Sequence, residues 1–381
     1  MKLVVRFVLL LSAYCAVIDS IEVTNQRPSI SDDGPINWNQ RAAALVTTLN
    51  TNWYSSDLRQ WTKLNGDPLG VWHTWNGLEA MIDYSNYSGD SNFDKMSFDV
   101  AGNFVLLAQA MSYYDDDALW AGIALVKAYR KSPSVFYITG AKGVFDELVG
   151  YWDSKCNGGV WWSHEKTYKN AITNELFLML AIDLYEETGD VNYYNWAIRE
   201  YNWFLASGML NSDNLINDGL TDQCVTNNGT TWTYNQGVIL GGLAGLARIN
   251  PGNASTYLNL ADKIVRAVAA HLTMNSSEGK AILKESVVDG EDGEQFKGIF
   301  MRYLAQLIAV TTDASRKAAY AQLILDSADY VWNNAKNNQN EVSAVWIGQR
   351  HDPPWYDAIA QISAIDLMNA AIYASKSMPQ F

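Results

Sequence analysis

The chain has 381 residues, 48% of them hydrophobic, which is enough to bury a substantial core and excludes a disordered chain. Its formal net charge of -14, without any run of Lys or Arg, argues against nucleic acid and anionic membranes as partners, because both require basic patches. The 15 Trp and 21 Tyr residues are numerous, and such rings suit the faces of sugars, although large helical cores also use aromatic residues.

The N-terminal stretch 1–20 has the pattern of a secretory signal peptide. Positive charges at Lys2 and Arg6 precede an apolar segment that is too short to span a membrane. Cleavage after Cys15 and cleavage after Ser20 are both compatible with the pattern. The stretch predicts a secreted, extracellular protein.

The remainder of the chain, 21–381, shows no linker and is predicted to be a single domain. No later segment is apolar for long enough to cross a membrane, and residues 375–381 lack the hydrophobic tail of a lipid-anchor signal. We therefore expect a monomer without a membrane anchor.

Two cysteines, Cys156 and Cys224, lie well beyond the signal peptide. Lone cysteines often pair in an oxidising compartment, so we predict a disulfide, with two buried free thiols as the alternative. In a eukaryotic host, glycosylation sequons indicate surface positions. The sequons are at Asn86, Asn228, Asn253 and Asn275.

Hydrophobic periodicity predicts twelve helices along the chain. Their approximate ranges are 39–54, 71–85, 94–111, 116–130, 133–152, 170–188, 191–207, 236–249, 254–272, 294–312, 315–335 and 354–375. Strand alternation is scarce, and only 160–162 and 342–347 are predicted as short strands within loops.

Twelve antiparallel helices without a linker predict an all-α fold, the (α/α)6 barrel, which is a toroid of six helical hairpins. An open helical solenoid is the competing architecture, but no consensus repeats at a fixed period. In a barrel the loops at one end surround a pocket, and the acidic run at Asp115–Asp117 is expected to open there.

The acidic run follows Tyr113 and Tyr114 and precedes Trp120, so it lies at the start of a predicted apolar helix. Acids are favoured in a first helical turn, but capping needs only one or two of the three. Neighbouring carboxylates repel, which would leave one protonated and one ionised at the same pH. Retaining glycosidases use two carboxyl groups roughly 5–5.5 Å apart.

Aromatic and amide side chains are concentrated in the loops before other helices. Trp161, Trp162, Trp232 and Tyr234 are expected to line the cleft, with at least one of them in the core. Asn170 can cap a helix or bind a ligand hydroxyl, and capping is the favoured interpretation.

The segment 292–302 adds two cations, Lys297 and Arg302, which are expected to pair with acids rather than to contact substrate. The four histidines are scattered without ligand spacing. No Gly-rich phosphate loop follows a strand, and no Gly-x-Ser-x-Gly elbow is present. We predict neither a metal nor a cofactor.

Taken together and in this order, the motifs resemble glycoside hydrolase family 76, the endo-α-1,6-mannanases, over about 40–375. The motifs are Tyr114-Asp115-Asp116 with Trp120, Cys156-Asn157-Gly158-Gly159 with Trp161-Trp162, Lys169-Asn170 through Asn174, Thr233-Tyr234-Asn235-Gln236-Gly237, and Phe296-Lys297-Gly298-Ile299-Phe300 with Arg302.

The resemblance implies an (α/α)6 barrel and a retaining mechanism with two adjacent aspartates. Aligning the family's Trp on Trp120 makes Asp115 the nucleophile and Asp116 the acid/base, and leaves Asp117 as a helix-start residue. Many bacterial members have two tryptophans where this chain has Leu119 and Trp120. The missing lipid-anchor signal, which related fungal wall proteins carry, favours a freely secreted hydrolase.

The expected substrate is α-1,6-mannan polysaccharide or oligosaccharide. Asn170, Tyr234 and backbone N–H groups are the expected hydrogen-bond donors to the nucleophile. The predicted substrate-binding residues are Tyr114, Trp120, Trp161, Trp162, Asn170, Trp232, Tyr234 and Asn235. The alternatives are a cell-wall transglycosylase, a non-catalytic mannan-binding protein on the same barrel, and an unrelated helical-repeat protein.

Overall fold

Twelve α-helices build the part of the chain that the computed structural model describes, which comprises residues 36–109, 113–286, 291–348 and 356–377. The helices are α1 (Trp38–Asn52), α2 (Val71–Ser88), α3 (Asp94–Gln109), α4 (Asp115–Lys131), α5 (Val135–Val149), α6 (Ala171–Thr188), α7 (Val191–Ala206), α8 (Thr233–Ile249), α9 (Ala254–His271), α10 (Glu291–Val310), α11 (Ala314–Asn334) and α12 (Ala358–Ser377).

The predicted helix count is confirmed, with boundaries that differ by up to four residues. The largest shift is at α12, which begins at Ala358 instead of 354. Shifts of three residues occur at α8, which begins before its predicted start, and at the predicted helix over 133–152, which ends at Val149. The signal-peptide prediction and the predicted helix ends at 110–111 and 354–355 lie outside the described residues. From Asn37 to Phe381 the chain forms one compact unit.

The even-numbered helices form a closed ring. Each of α2, α4, α6, α8 and α10 packs against the next even-numbered helix, and α12 packs back against α2. The odd-numbered helices pack on the outside of this ring. From α3 onward each packs against an inner helix next to it in the chain, whereas α1 packs mainly against α12. The fold is therefore the predicted (α/α)6 barrel, and closure of the ring rules out the open solenoid.

Burial explains why alternate helices take the inner and outer positions. Along α6 every residue from Ala171 to Leu184 is buried, as an inner helix between neighbours requires. The outer helix α9 instead buries a stripe at three- and four-residue spacing, as on a helix with one solvated face. This stripe includes Tyr257, Ala261, Ile264, Val265 and Val268.

Glycine allows three inner helices to approach closely. A Cβ at Gly237 on α8 would lie 2.5 Å from the Cα of Phe300 on α10. A Cβ at Gly298 on α10 would lie 2.5 Å from the carbonyl oxygen of Ser363 on α12. Any larger residue at either position would force these backbones apart.

The inner helices all point in the same direction. Side chains from the last turns of all six line one cavity of about 320 Å³ at the far end of the barrel. They are Tyr87, Arg130, Glu186, Arg248, Ala309 and Tyr373. The first turns of the inner helices and the loops before them therefore gather at the opposite mouth.

The described residues contain two short hairpins. They pair β1 (Tyr54–Ser55) with β2 (Gln60–Trp61) and β3 (Thr273–Asn275) with β4 (Ala281–Leu283). The strand predictions at 160–162 and 342–347 were wrong. One isolated bridge pairs Ser163, directly after the first run, with Tyr114, and another pairs Val342 with Lys336. In each case the two backbones pair over a single residue, which is too short for a strand.

A buried ion cluster crosses the barrel interior at Arg302. Its guanidinium donates to Asp366 at 2.6 and 3.0 Å, to the Glu79 carboxylate at 3.0 Å and to the Asn76 amide oxygen at 2.9 Å. This confirms the predicted pairing of Arg302 with acids. Lys297 is also buried, and burial lowers its pKa to about 8 although the Glu285 and Glu294 carboxylates oppose that shift.

The surface agrees with the sequon prediction. All four sequon asparagines are exposed. Within the described ranges, no helix combines the length and the apolar run needed to span a membrane.

The predicted disulfide between Cys156 and Cys224 is present, with the Cα atoms 5.0 Å apart. It joins the loop before α6 to the loop before α8, so it links two segments at the barrel mouth where the inner helices begin. The Lys169 ammonium reinforces the first loop by donating to the carbonyl oxygens of Lys155 and Gly158, both at 2.7 Å.

Replacing Cys156 and Cys224 together by serine is expected to lower the free energy of unfolding by about 2–4 kcal/mol, because the bond closes a long loop in the unfolded chain. The two cysteines are 68 residues apart in sequence. Urea unfolding of the variant and the wild type measures the difference, with the reduced wild type as the control. Equal transition midpoints in all three samples would contradict the expectation.

Candidate active site

The three acids occupy the first turn of α4, as predicted. Tyr114 is the N-cap residue, and the helix begins at Asp115. Unpaired backbone N–H groups and the positive end of the helix dipole favour carboxylates at this position. The acids therefore lie at the mouth of the barrel where the inner helices begin.

Helical spacing directs the Asp116 side chain toward the barrel axis. Asp116, Trp120, Ile123 and Lys127 recur at three- and four-residue spacing and share one face of α4. Ile123 and Lys127 line the axial cavity. The Asp116 carboxyl group therefore points toward the centre of the ring.

Asp115 is on a neighbouring face of the same helix. It shares that face with Gly122, where an added Cβ would lie 2.7 Å from Leu180 on α6. Asp115 therefore points toward the α6 side of α4 rather than along the axis.

The surroundings of Asp116 favour its protonated form. Its carboxyl oxygens accept hydrogen bonds from the Trp162 indole N–H at 3.1 Å and the Asp117 backbone N–H at 3.1 Å. Burial nevertheless raises the pKa of Asp116 well above its usual value, and the charge of Asp117 adds to the increase. A raised pKa suits a carboxyl group for the role of general acid.

Asp115 is almost completely buried, with 1% of its side chain exposed. Its backbone N–H donates to the carbonyl oxygen of Trp162 at 2.8 Å, which ties the helix start to the loop before α6. Burial raises the pKa of Asp115 to about 7, the Glu147 carboxylate adds to the increase, and the Lys166 ammonium opposes it. His164 Nε2 lies 3.2 Å from Asp115 Oδ1.

Two expectations about the acids were wrong. Both carboxyl groups have raised pKa values, whereas one raised and one ordinary value was expected, because loss of solvent acts on the buried Asp115 and on the half-buried Asp116. The expected donors do not reach the nucleophile candidate: among the described residues no hydrogen bond reaches either oxygen of Asp115. Asn170 instead caps α6, accepting from the Thr173 backbone N–H at 3.3 Å, which confirms the favoured interpretation of that residue.

One aromatic wall stands beside the acids on the loop before α6. The half-buried Trp162 ring packs against Tyr114 with ring centres 4.7 Å apart, and Tyr114 is 39% exposed. Since Trp162 also bonds to Asp116, its ring is placed directly at the acid. Trp162 and Tyr114 thus fit their predicted positions.

Trp161 belongs to the packing under the loop. It is 7% exposed, its indole N–H donates to Asp153 at 2.8 Å, and the Lys169 ammonium lies 4.5 Å from its ring centre. This agrees with the expectation that at least one of the four loop aromatics is core. Its predicted role as a cleft residue finds no support in these contacts.

A second aromatic group is assembled around Phe296 on α10. The Tyr234 ring stacks on Phe296 at 3.9 Å, Trp232 meets it edge-on at 5.5 Å, and Trp72 lies 6.2 Å away. Trp120 stacks on Trp72 at 6.3 Å. Trp120 is 2% exposed, so it supports Trp72 from below instead of presenting a face to a ligand.

The sequence predictions missed Trp72 and treated Phe296 only as part of a motif. Trp72 is held by its indole N–H, which donates to Asp292 at 3.2 Å. It is the second residue of α2, an inner helix, so its position in a first helical turn was the available signal. Asn235, predicted to bind substrate, is fully buried, and neither of its amide atoms bonds to another described residue.

The predicted site residues therefore fall into three groups. Asp115, Asp116, Tyr114 and Trp162 come together on one side, and Trp232 and Tyr234 belong to the Phe296 group. The remaining predictions, Trp120, Trp161, Asn170 and Asn235, are buried residues. Within the described ranges, no group of three or more His, Cys, Asp or Glu side chains is arranged to hold a metal ion.

Glycoside hydrolases typically use a pair of carboxyl groups, and raised pKa values mark such functional sites. Here aromatic rings lie beside the pair. The sequence model of glycosyl hydrolase family 76 matches residues 37–380, and the chain belongs to this family. The fold, the site and the family agree that the protein is a glycoside hydrolase.

Curated relatives include fungal enzymes. The chain is 25% identical over 344 residues to mannan endo-1,6-alpha-mannosidase DCW1 of Candida albicans. The alignment covers 82% of this chain and 75% of the relative. It is 24% identical over 343 residues to mannan endo-1,6-alpha-mannosidase DFG5 of Saccharomyces cerevisiae, covering 82% and 73%.

Solved structures share the fold. The GH76A alpha-1,6-mannanase from Salegentibacter sp. HEL1_6 superposes with a TM-score of 0.79 at 22% identity, covering 88% of this chain and 99% of that one. An inactive variant of that enzyme, with two consecutive aspartates replaced by alanine, was solved with alpha-1,6-mannotetrose and gives a TM-score of 0.80 at 21% identity. The superposition covers 89% of this chain and 100% of that variant.

Proposed function

We propose that the protein is a secreted, retaining, endo-acting glycoside hydrolase that cleaves α-1,6-mannosidic linkages in mannan or in cell-wall mannoprotein glycans. The observation that carries the proposal is the pair Asp115–Asp116 at the start of an inner helix, where burial raises both pKa values beside the exposed Tyr114–Trp162 wall. The curated relatives named for this activity and the mannotetrose complex of the related mannanase support the choice of substrate.

In the first step, Asp116 donates its proton to the glycosidic oxygen while the Asp115 carboxylate attacks the anomeric carbon. The carbon–oxygen bond breaks, the leaving chain departs with a new hydroxyl group, and a mannosyl ester forms on Asp115. In the second step, Asp116 takes a proton from water, whose oxygen displaces Asp115. One water is consumed, both acids return to their starting states, and the α configuration is retained.

Access to Asp115 sets a condition on this mechanism. The side chain is 1% exposed and points toward α6, whereas Asp116 points along the axis. For Asp115 to attack a sugar at the mouth, it has to turn about its Cα–Cβ bond toward the face of Asp116. A sugar bound against Trp162 would supply hydroxyl groups to replace the donors that Asp115 lacks.

The two aromatic groups suit a polymer on either side of the bond that breaks. The Tyr114–Trp162 pair is beside the acids, and the Phe296 group lies across the mouth, with the charge of Asp116 acting on Tyr234. Aromatic faces pack against the C–H face of a sugar, while neighbouring polar groups bind its hydroxyls. This arrangement supports endo action, in which sugars occupy both sides of the site.

Incubation with linear α-1,6-mannan and with defined α-1,6-mannooligosaccharides tests the proposal. We expect shorter oligomannosides across some part of pH 4–8, and an initial product with the α configuration by NMR. No products on any of these substrates, or an initial β product, would contradict it. Products longer than the starting oligosaccharide would show that a sugar replaces water, as in a transglycosylase.

A further inference from the structure

His164 is the group nearest to the carboxylate of Asp115 that can carry a positive charge. Its Nε2 lies 3.2 Å from Asp115 Oδ1, and its side chain is 28% exposed while that of Asp115 is 1% exposed. The contact has the distance of an ion pair, and no other described donor bonds to either carboxylate oxygen. A buried carboxylate without a donor is costly, so this imidazole is the available compensation.

The loop holds the imidazole in place. Its ring stacks on Tyr151 at 4.9 Å with an angle of 23° between the planes, and its backbone N–H donates to the carbonyl oxygen of Tyr113 at 3.3 Å. The adjacent Ser163 bridges to Tyr114, directly before Asp115. The loop and the helix start are thus joined on both sides of the His164–Asp115 contact.

The other titratable and charged groups around this contact come from α5, from the His164 loop and from the segment at the start of α4. Glu147, near the end of α5, raises the pKa of Asp115. Lys166, on the His164 loop, lowers it, and its ammonium also lies 4.9 Å from the Tyr151 ring centre. The Tyr113 hydroxyl is engaged with Glu165 on the same loop. Asp115 therefore sits between the Glu147 carboxylate on α5 and the Lys166 ammonium and His164 imidazole on the loop.

We propose that His164 is a positioning residue whose ring N–H, 3.2 Å from Asp115 Oδ1, donates to the Asp115 carboxylate and favours its ionised form. This inference rests on the proposed function, in which Asp115 must be a carboxylate to attack. A donor beside the charged form of a carboxyl group favours that form, so the contact opposes the burial and the Glu147 charge that raise the pKa of Asp115. Attack then continues at a pH at which an isolated buried Asp115 would be protonated.

His164→Ala and Glu147→Gln form a pair of variants with opposite expected effects. Without the imidazole, the acidic limb of the kcat/KM profile is expected to move upward by about one pH unit, which corresponds to about 1.4 kcal/mol. Without the Glu147 charge, the same limb is expected to move downward. At a pH above the acidic limbs of both variants, each should keep a kcat within about threefold of the wild type, because neither residue touches the reacting atoms. His164→Gln, which retains an N–H donor, should recover part of the His164→Ala shift.

The measurement uses the full chain with α-1,6-mannotetraose, and circular dichroism of each variant confirms the fold. Limbs that do not move, or that move in the same direction in both variants, would overturn the proposal. So would a folded His164→Ala variant that is inactive at every pH, since that result would place His164 in contact with substrate.

A second readout separates this inference from the proposed function. Carbon NMR of protein labelled at the Asp carboxyl carbons follows the titration of Asp115 without substrate, with the signal assigned by its loss in Asp115→Asn. We expect the Asp115 midpoint to rise in His164→Ala and to fall in Glu147→Gln even if mannan is not the substrate. An unchanged Asp115 midpoint in His164→Ala would overturn the role of His164 whatever the enzyme cleaves.

Discussion

Asp115→Asn and Asp116→Asn are each expected to lower kcat/KM on α-1,6-mannooligosaccharides by about a hundredfold to ten-thousandfold. Asp115→Asn retains the shape of the side chain but removes the nucleophile. Asp116→Asn removes the proton that the leaving sugar needs. Initial rates on one defined oligosaccharide, with substrate binding measured by calorimetry, distinguish lost chemistry from lost binding.

Asp117→Asn is the matched control, since Asp117 occupies the same helical turn. Its charge raises the pKa of Asp116, so the variant should lower that pKa and shift the basic limb of the rate profile downward while activity persists. Azide should restore Asp116→Ala activity on a substrate with a good leaving group and give an α-azide, but it should not rescue Asp115→Ala in this way. Normal rates in Asp115→Asn with loss in Asp117→Asn would show that the pair is Asp116–Asp117.

Arg302→Met is expected to cost about 3–5 kcal/mol in the free energy of unfolding, because it leaves buried carboxylates without their cation. Arg302 bonds to Asp366 and Glu79, and all three side chains are at most 2% exposed. Burial raises the pKa of Asp366 to about 6 even with Arg302 opposing it. Removing the guanidinium raises that folded-state pKa further.

The loss should depend on pH in a defined direction. A carboxyl group whose pKa is higher in the folded than in the unfolded protein destabilises the fold above the folded pKa, and this effect fades as the pH falls toward the unfolded value. Urea unfolding should therefore show a larger loss at pH 8 than at pH 5. Arg266→Met, which breaks an Arg–Asp pair with 69% of the arginine side chain exposed, should cost far less than Arg302→Met. An equal loss in the two variants would contradict this account.

The outer helix α9 was predictable because its burial pattern repeats with helical periodicity. The inner helix α6 is buried without interruption from Ala171 to Leu184, so the signals for it are the length of its apolar run and the cap residue Asn170 at its start. The short strands were not predictable, since two or three residues are too few for a pattern. The run 160–162 has strand-like residues, but its backbone hydrogen bonds go to scattered partners: Val160 bonds to the Asn174 side chain, and Trp162 bonds to the backbones of Tyr168 and Asp115.

The site was predicted less completely than the fold. The positions of Asp115 and Asp116 in a first helical turn followed from the sequence, but the direction of each side chain depends on the neighbouring helices. Burial of Asp115 beside Glu147 joins segments 32 residues apart, which no local pattern reports. Similarly, Trp72 reaches Phe296 only because the ring brings α2 and α10 to the same mouth.

Closure of the ring by α12 has a consequence for folding during synthesis. The Asn369 amide donates to the carbonyl oxygen of Ala80 at 2.8 Å, across 289 positions of the chain, and Asp366 supplies a carboxylate to the Arg302 cluster. Neither contact can form on the ribosome until the last helix has emerged from the exit tunnel. The earlier helices must wait with apolar faces uncovered, so nascent chains that stall before α12 are expected to need chaperones.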